Sequence, residues 1–267
     1  MTSETASDEV VWITGGGSGL GRALALEFSR RGAVVAVSGR RADRLAEVVS
    51  AIQDSGGQAY AFTCDVTDET RLTEVVAEIV ADLGGIDVVV ANAGYGIIGK
   101  IVEVADEYWK RQFDVNVFGL LTTVRHALPH VCQRRGRVVL ISSVRAFIGA
   151  PGSGVYGASK AAVRSIGHTL NAELVGTGVT CTTIFPGYVK TEISRVDNDG
   201  VFRADRKDRM PAKLMWPADK AAKVMWSAIE KRKREYVFTG HGRIIAFIAM
   251  HFPKITMSLV PLFLRSR

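Results

Sequence analysis

The stretch WITGGGSGLGR, Trp12 to Arg22, places five glycines within seven residues directly after a short apolar run. Glycine clusters let backbone amides come close to a phosphate, and a strand that turns through such a loop into a helix points the helix's free N–H groups at the anion. Two common loop patterns fail here. Gly16 to Gly21 has P-loop spacing, but Arg22 and Ala23 follow where a lysine and a hydroxyl residue are needed to hold β/γ-phosphates and magnesium. Gly-x-Gly-x-x-Gly also fails, because Arg22 stands where the third glycine after Gly17 and Gly19 belongs. The residues match Thr-Gly-x-x-x-Gly-x-Gly instead, from Thr14 through Gly15 and Gly19 to Gly21. This is a longer turn, and the helix N-terminus behind it still suits a pyrophosphate.

The rest of the chain repeats the strand–helix alternation that this loop begins. Residues 10–14, 33–38, 59–63, 87–92, 137–142 and 179–184 are short, β-branched and apolar on both faces, as buried parallel strands are. Helical periodicity covers 20–31, 42–53, 70–83, 115–131 and 156–174, with Gly32, Gly84 and Gly176 at the expected helix ends. Alternation of this kind predicts an α/β fold: one doubly wound, Rossmann-like domain over residues 1–267, its mostly parallel sheet covered by helices on both faces. A polar connection at about 190–216, with Arg195, Arg203, Arg206 and Arg209, reads as a substrate lid, and 241–267 as a basic and apolar tail. Ligands in such sheets bind beyond the carboxyl ends of the strands. The residues to inspect are therefore the glycine loop and the runs at 38–41, 64–66, 92–94, 142–144 and 185–191.

Composition narrows the class. At 47% hydrophobic and 23% charged, the 267 residues describe an ordinary globular chain with a large core. Cys64, Cys132 and Cys181 are few, odd in number and far apart, which favours a reducing, cytoplasmic setting over a disulfide framework. The polar, acidic start MTSETASDEV has no basic or apolar region of a secretory leader. No metal site is expected: His126 and His130 have i, i+4 spacing, but Pro129 interrupts them and no acid follows His126. Charge is unevenly spread. Residues 1–189 carry 17 Lys+Arg against 19 Asp+Glu, whereas 190–267 carry 17 against 8.

Taken together in order and spacing, several motifs resemble the short-chain dehydrogenase/reductase family over roughly residues 9–240. They are TGGGSGLG (14–21), NAG (92–94), Asn116 in DVNVFG, Ser143 in ISSV, YGASK (156–160) and PGYVKT (186–191). Ser143 lies thirteen residues before Tyr156, as the family pattern requires; Ala91 departs from the second asparagine that many members carry. The resemblance implies a nicotinamide-dependent oxidoreductase interconverting a carbonyl and a secondary alcohol. Tyr156 would be general acid/base, Lys160 would hold the nicotinamide ribose, Ser143 would donate to the substrate oxygen, and Asn116 would anchor a water leading to Lys160. It places the cofactor on Gly15, Gly17, Ser18, Gly19, Leu20 and Gly21 of the loop, and on Asp65 and Val66, with Asp65 on adenine. Asn92, Ala93, Gly94, Tyr156, Lys160, Pro186, Gly187, Val189 and Thr191 complete that set, and a homodimer or homotetramer is the family's usual assembly.

The residues themselves refine these implications. A free tyrosine has a pKa of about 10, and Lys160, one helical turn after Tyr156, is placed to bring it down. After the second strand an acid would signal NAD, but Gly39 stands there, followed by Arg40 and Arg41. No carboxylate repels a 2′-phosphate and a guanidinium suits it, so NADP(H) is preferred over NAD(H), with Arg40 as main contact and Ser38 assisting. Tyr95, Ser143, Arg145, Phe147 and Tyr188 are the candidate substrate wall. The tail, with one charge between 244 and 264, fits peripheral contact with the inner membrane surface, burial at a pocket or partner subunit, or a span broken by Pro253 and Pro261. Peripheral contact would suit a lipophilic substrate; nucleic acid is not an expected partner. The alternative to an enzyme is a catalytically silent nucleotide-binding scaffold or sensor of the same fold.

Overall fold

Residues Val10–Thr14 alternate between two buried faces, Val10 and Trp12 on one and Val11 and Ile13 on the other. A strand with no solvent face belongs inside a covered parallel sheet. In the computed structural model, which describes residues 9–206, 212–254 and 256, this strand is β1 in the interior of the sheet. It is followed by α1 (Gly19–Arg30), β2 (Val34–Gly39), α2 (Ala42–Gln53), β3 (Ala59–Thr63), α3 (Glu69–Leu83) and β4 (Val88–Ala91). Beyond these come α4 (Asp106–Phe113), α5 (Gly119–Gln133), β5 (Arg137–Ile141), α6 (Gly154–Glu173), β6 (Thr180–Phe185), α7 (Ala218–Glu230), β7 (Glu235–Val237) and α8 (Gly240–His251).

The strand order is β3-β2-β1-β4-β5-β6-β7, and every pairing is parallel. Chain direction across the sheet reverses between β1 and β4, so their following loops part and leave a crevice at that switch point. One core, around Trp12, Leu72, Ile79, Val89, Leu120 and Val138, lies under α3, α5 and α6; the other, around Ile13, Leu24, Phe28, Val37, Val139 and Met225, lies under α1, α2 and α7. Each such side chain contributes roughly 1.5–3 kcal/mol on burial.

Three details differ from the sequence expectations. A seventh strand, β7, extends the edge; at three residues, beginning on the last residue of the charged run 230–235, it carries too little pattern to read. The helix expected over 115–131 is α5 preceded by a π-helical stretch, Asp114–Phe118, which contains Asn116 and joins α5 to α4, a helix outside those expectations. Wider π turns arise where a side chain must be re-aimed, and Asn116 is aimed inward here. Pro129 does not interrupt α5 but lies within it. The lid begins with a short 3-10 turn, Glu192–Arg195, and is stitched by bridges Val189–Trp216 and Val196–Phe202. Its Arg209 lies outside the described residues, as do tail residue 255 and residues 257–267.

Candidate active site

The loop after β1 needs glycine for packing as much as for ligand approach. A Cβ on Gly15, at φ +65°, would come within 2.9 Å of the Ala93 Cα, and one on Gly21 within 2.4 Å of the Gly15 carbonyl oxygen. Across this contact Thr14 Oγ1 accepts from the backbone N–H groups of Asn92 and Ala93, both at 3.1 Å. Asn92 Nδ2 donates back to Thr14 O at 2.9 Å and Gly15 O at 3.2 Å. Thr14 and Asn92 therefore pin the two diverging loops together, a role for Thr14 that its place before the first glycine only hinted at. Ser18, at the N-cap of α1, makes no side-chain cap bond, and the first turn holds no acid. The α1 amides thus face the crevice without a competing carboxylate, and this cradle fits a pyrophosphate.

The crevice opens into a cleft of about 310 Å³ that runs from the glycine loop to α6. Gly15, Gly17, Ser18, Gly19, Leu20, Arg40, Arg41, Asp65 and Val66 line it, together with Asn92, Ala93, Gly94 and Tyr95. Ser143, Tyr156, Lys160, Pro186, Gly187, Val189 and Thr191 line its other end. Gly21 sits behind Gly15. Ser38 is turned away: its Oγ accepts from Trp12 Nε1 at 3.0 Å inside the core, so it is not available to assist at a phosphate. Phe147 packs on Phe185, ring centres 4.7 Å apart, under the Arg164 guanidinium. Tyr188 stacks on His241, whose Nε2 accepts from the Tyr188 N–H at 3.0 Å. These rings hold the loops rather than wall the cleft. Leu45, Cys64, Glu192, Ile193, Val196, Gly200 and Phe202 do line it. Glu192 beside Thr191 was the only one of the lid set with a motif to point to it.

At the end of the cleft expected to be catalytic, Tyr156 and Lys160 stand on the first turns of α6. Lys160 Nζ lies 5.8 Å from the Tyr156 ring centre and donates to Ile141 O at 2.8 Å. Ser142 Oγ donates to Lys160 O at 2.8 Å. Burial pushes the Lys160 ammonium down to about 8. Burial also raises Tyr156, against a hydrogen bond with Ser143 and the Arg145 charge, which act to lower it. The expected lowering of Tyr156 by Lys160 is thus not a property of the chain alone, because desolvation of the phenolate is the largest influence. What the chain provides is a neutral, protonated phenol beside Ser143.

Asn116 reaches in from the π-helical stretch. Its Nδ2 donates to Tyr95 O at 3.0 Å and Ser159 Oγ at 3.1 Å, and its Oδ1 accepts from the Tyr95 N–H at 3.1 Å. A Cβ on Gly94 would meet Asn116 Oδ1 at 3.0 Å and Lys160 Nζ at 3.5 Å, so the 92–95 loop and Lys160 converge there. Arg145 contributes a backbone N–H to Ser143 Oγ at 3.2 Å. Tyr95 is buried with its hydroxyl unpartnered, in the field of Arg111 and Arg40. It also lines a recess shared with Arg40, Asp65 and Arg111, next to the cleft.

At the adenosine end Arg40 Nη2 donates to Gly200 O at 2.9 Å, and Nη1 lies 3.9 Å from Asp65 Oδ2. Asp65 Oδ1 is engaged by Thr67, through its N–H at 3.0 Å and its hydroxyl at 2.8 Å. Arg41, the N-cap residue of α2, pairs with Glu192 at 3.3 Å.

The model of the short chain dehydrogenase family matches residues 9–201. The chain belongs to the short-chain dehydrogenase/reductase family. Like other members of that family it is an oxidoreductase of the NAD(P)-dependent kind. It is 37% identical over 190 residues to a hydroxynaphthalene reductase of Aspergillus fumigatus, covering 71% of this chain and 69% of that one. It superposes on a short-chain dehydrogenase/reductase from Burkholderia phymatum in complex with NAD, with a TM-score of 0.81 and 25% identity, over 94% of this chain and 95% of that one. An alcohol dehydrogenase from Thermococcus sibiricus complexed with 5-hydroxy-NADP shares the fold at a TM-score of 0.75 and 24% identity, over 86% and 95% of the two chains.

Proposed function

We propose that this oxidoreductase interconverts a carbonyl and a secondary alcohol on a lipophilic substrate, using NADP(H), with Tyr156 as general acid/base. The observation that carries the reading is the protonated Tyr156 beside Ser143, with Lys160 one turn behind, at the end of a glycine cradle built for a pyrophosphate. A bound nicotinamide supplies the hydride and, when oxidised, a positive ring. In reduction Ser143 donates a hydrogen bond to the substrate oxygen and Tyr156 delivers the proton that the nascent alkoxide requires. Lys160 adds positive charge behind the phenolate that is left and orients the ribose. Asn116 keeps the 92–95 loop in place. Gly39, Arg40 and Arg41 favour the 2′-phosphate, with NAD(H) as second choice. Ile193, Val196 and Phe202 from the lid give the cleft an apolar side, and a relative named for a fused aromatic substrate agrees with a lipophilic one. An inert nucleotide-binding scaffold has no use for Ser143, Tyr156 and Lys160 together.

Tyr156→Phe tests this directly. Carbonyl-dependent NADPH oxidation should fall by about 10²–10⁴ while NADPH binding, followed by fluorescence, is retained. Equal turnover in the variant overturns the mechanism.

For partners, the reading includes a cytoplasmic homodimer or homotetramer, checked by sedimentation, and peripheral contact of the tail with anionic lipid. No described helix is long and apolar enough to cross a membrane. α8 turns Arg243, Ile244, Phe247 and Met250 outward, and no acid occurs from Tyr236 to Arg267. Flotation with anionic vesicles should be lost in Phe247→Asp; wild-type chain that stays behind in the gradient overturns the contact.

A further inference from the structure

We propose that Glu192 is a specificity-determining residue of the adenosine end, its carboxylate holding the Arg41 guanidinium that a cofactor 2′-phosphate would otherwise take. The proposal rests on the reading of Arg40 and Arg41 as the phosphate's partners, and it adds a competitor that this reading lacks.

Glu192 and Arg41 are 151 residues apart and meet across the cleft, Oε2 to Nη2, at 3.3 Å. The two side chains are 34% and 39% exposed, so the pair is open to exchange rather than locked in the core. Its place is set by the residue before it. A Cβ on Gly19 would lie 3.3 Å from Thr191 Cβ, so the start of the lid rests directly over the glycine loop. The Glu192 charge also acts on Arg44, whose own partner is Glu47 at 3.0 Å. Arg40 is held differently, by the neutral Gly200 carbonyl and by Asp65 at 3.9 Å.

A phosphate monoester carries about two negative charges near neutral pH, and a ribose hydroxyl carries none. A 2′-phosphate entering between Arg40 and Arg41 therefore meets Glu192 as a like charge and displaces it from Arg41. A 2′-hydroxyl leaves the ion pair intact and is itself able to donate to the carboxylate. Glu192 thus narrows the preference that two bare arginines would give. Because Glu192 opens the first turn of the lid, the same displacement frees that turn from the β2 end whenever the phosphorylated cofactor binds.

Titration calorimetry on the full chain with adenosine 2′,5′-bisphosphate and adenosine 5′-phosphate isolates the effect, since these fragments differ only in the 2′-phosphate. Glu192→Gln should tighten the bisphosphate about tenfold, the worth of one like charge removed at close range, and leave the monophosphate within about twofold. Glu192→Ala should do the same, and Arg41→Ala in the Glu192→Gln background should cancel the gain. Tightening of both fragments alike, or of neither, overturns the assignment. The wild-type preference reports separately on the NADP reading. Wild-type chain that binds the fragments equally, while Glu192→Gln still tightens only the bisphosphate, removes that reading and leaves the role of Glu192 standing.

Discussion

At the catalytic end Lys160, Asn116 and Ser142 are buried and bonded to partners at 2.8–3.1 Å, mostly backbone carbonyls and amides. At the adenosine end Arg40 reaches Asp65 and the lid's Gly200, and Arg41 reaches the lid's Glu192, through long, partly exposed side chains. The first arrangement is costly to alter, because a buried polar group that loses its partner forfeits about 1–3 kcal/mol. The second is cheap, because exposed ion pairs are worth about 0–1 kcal/mol each. In the proposed function, chemistry that must not vary is thus built from short reaches to backbone, and discrimination between cofactors from groups that can change partners.

The sharpest way to break this contrast is Lys160→Met. Turnover should fall on the order of 10²-fold, yet here, unlike at Asn116 or Ser142, the buried charge removed outweighs the bond lost and the fold should gain. Burial lowers the lysine from 10.5 to about 8, so below that pH folding must carry a desolvated ammonium. Between about pH 8 and 10.5 the unfolded chain holds a proton that the folded chain has released, and wild-type stability rises with pH. The Tm of Lys160→Met should therefore exceed wild type at pH 7 and lose that lead toward pH 10. A lead that does not shrink, measured by calorimetry, means the lysine is not what burial makes it. The Ile141 carbonyl left unpaired in the variant reduces the gain without changing its pH trend.

Arg40→Ala comes next. NADPH binding should weaken about ten- to a hundredfold more than NADH binding, the worth of a charge-assisted hydrogen bond. Uniform loss would show that Arg40 does not read the phosphate. Gly21→Ala should destabilise by about 1–3 kcal/mol, because its methyl meets the Gly15 carbonyl and the Asn92 amide, and Tm in thermal unfolding should fall several degrees. The smallest effect is expected for Arg111→Ala, which removes an exposed tie to Asp199 at 3.1 Å. Its cost in urea unfolding should stay under about 1 kcal/mol; a larger loss would put the lid's outer end in the same class as the catalytic end.

Much of this was legible in the residues. The six longer strands of the sheet lie within a residue of their expected bounds at each end. In five of them burial on both faces gives the strand a composition of its own, whereas β3, expected to be buried on both faces, is an edge strand that exposes Tyr60, Ala61 and Thr63. The glycine loop, Tyr156 and Lys160 were legible because positive φ and i, i+4 spacing are local demands. The π-helical stretch was not, since the apolar period of 115–131 is the same whether or not one turn is widened. Ser38, Phe147 and Tyr188 were misplaced for one reason. Their neighbours in sequence end strands at the cleft, but their partners Trp12, Phe185 and His241 are tertiary.

By itself, then, the stretch from Trp12 to Arg22 determined a strand, a glycine turn and an anion-facing helix start, and Ser143, Tyr156 and Lys160 pointed to the kind of chemistry proposed for it. Each follows from backbone conformations and short spacings that no distant residue has to supply. Only the tertiary structure decided that Lys160 donates to Ile141, that the Tyr95 hydroxyl is buried without a partner, and that Glu192 stands against Arg41. Those depend on how the lid and the crossover helices pack across the crevice. Burial and charge at a point in space are summed over segments that the chain order keeps far apart.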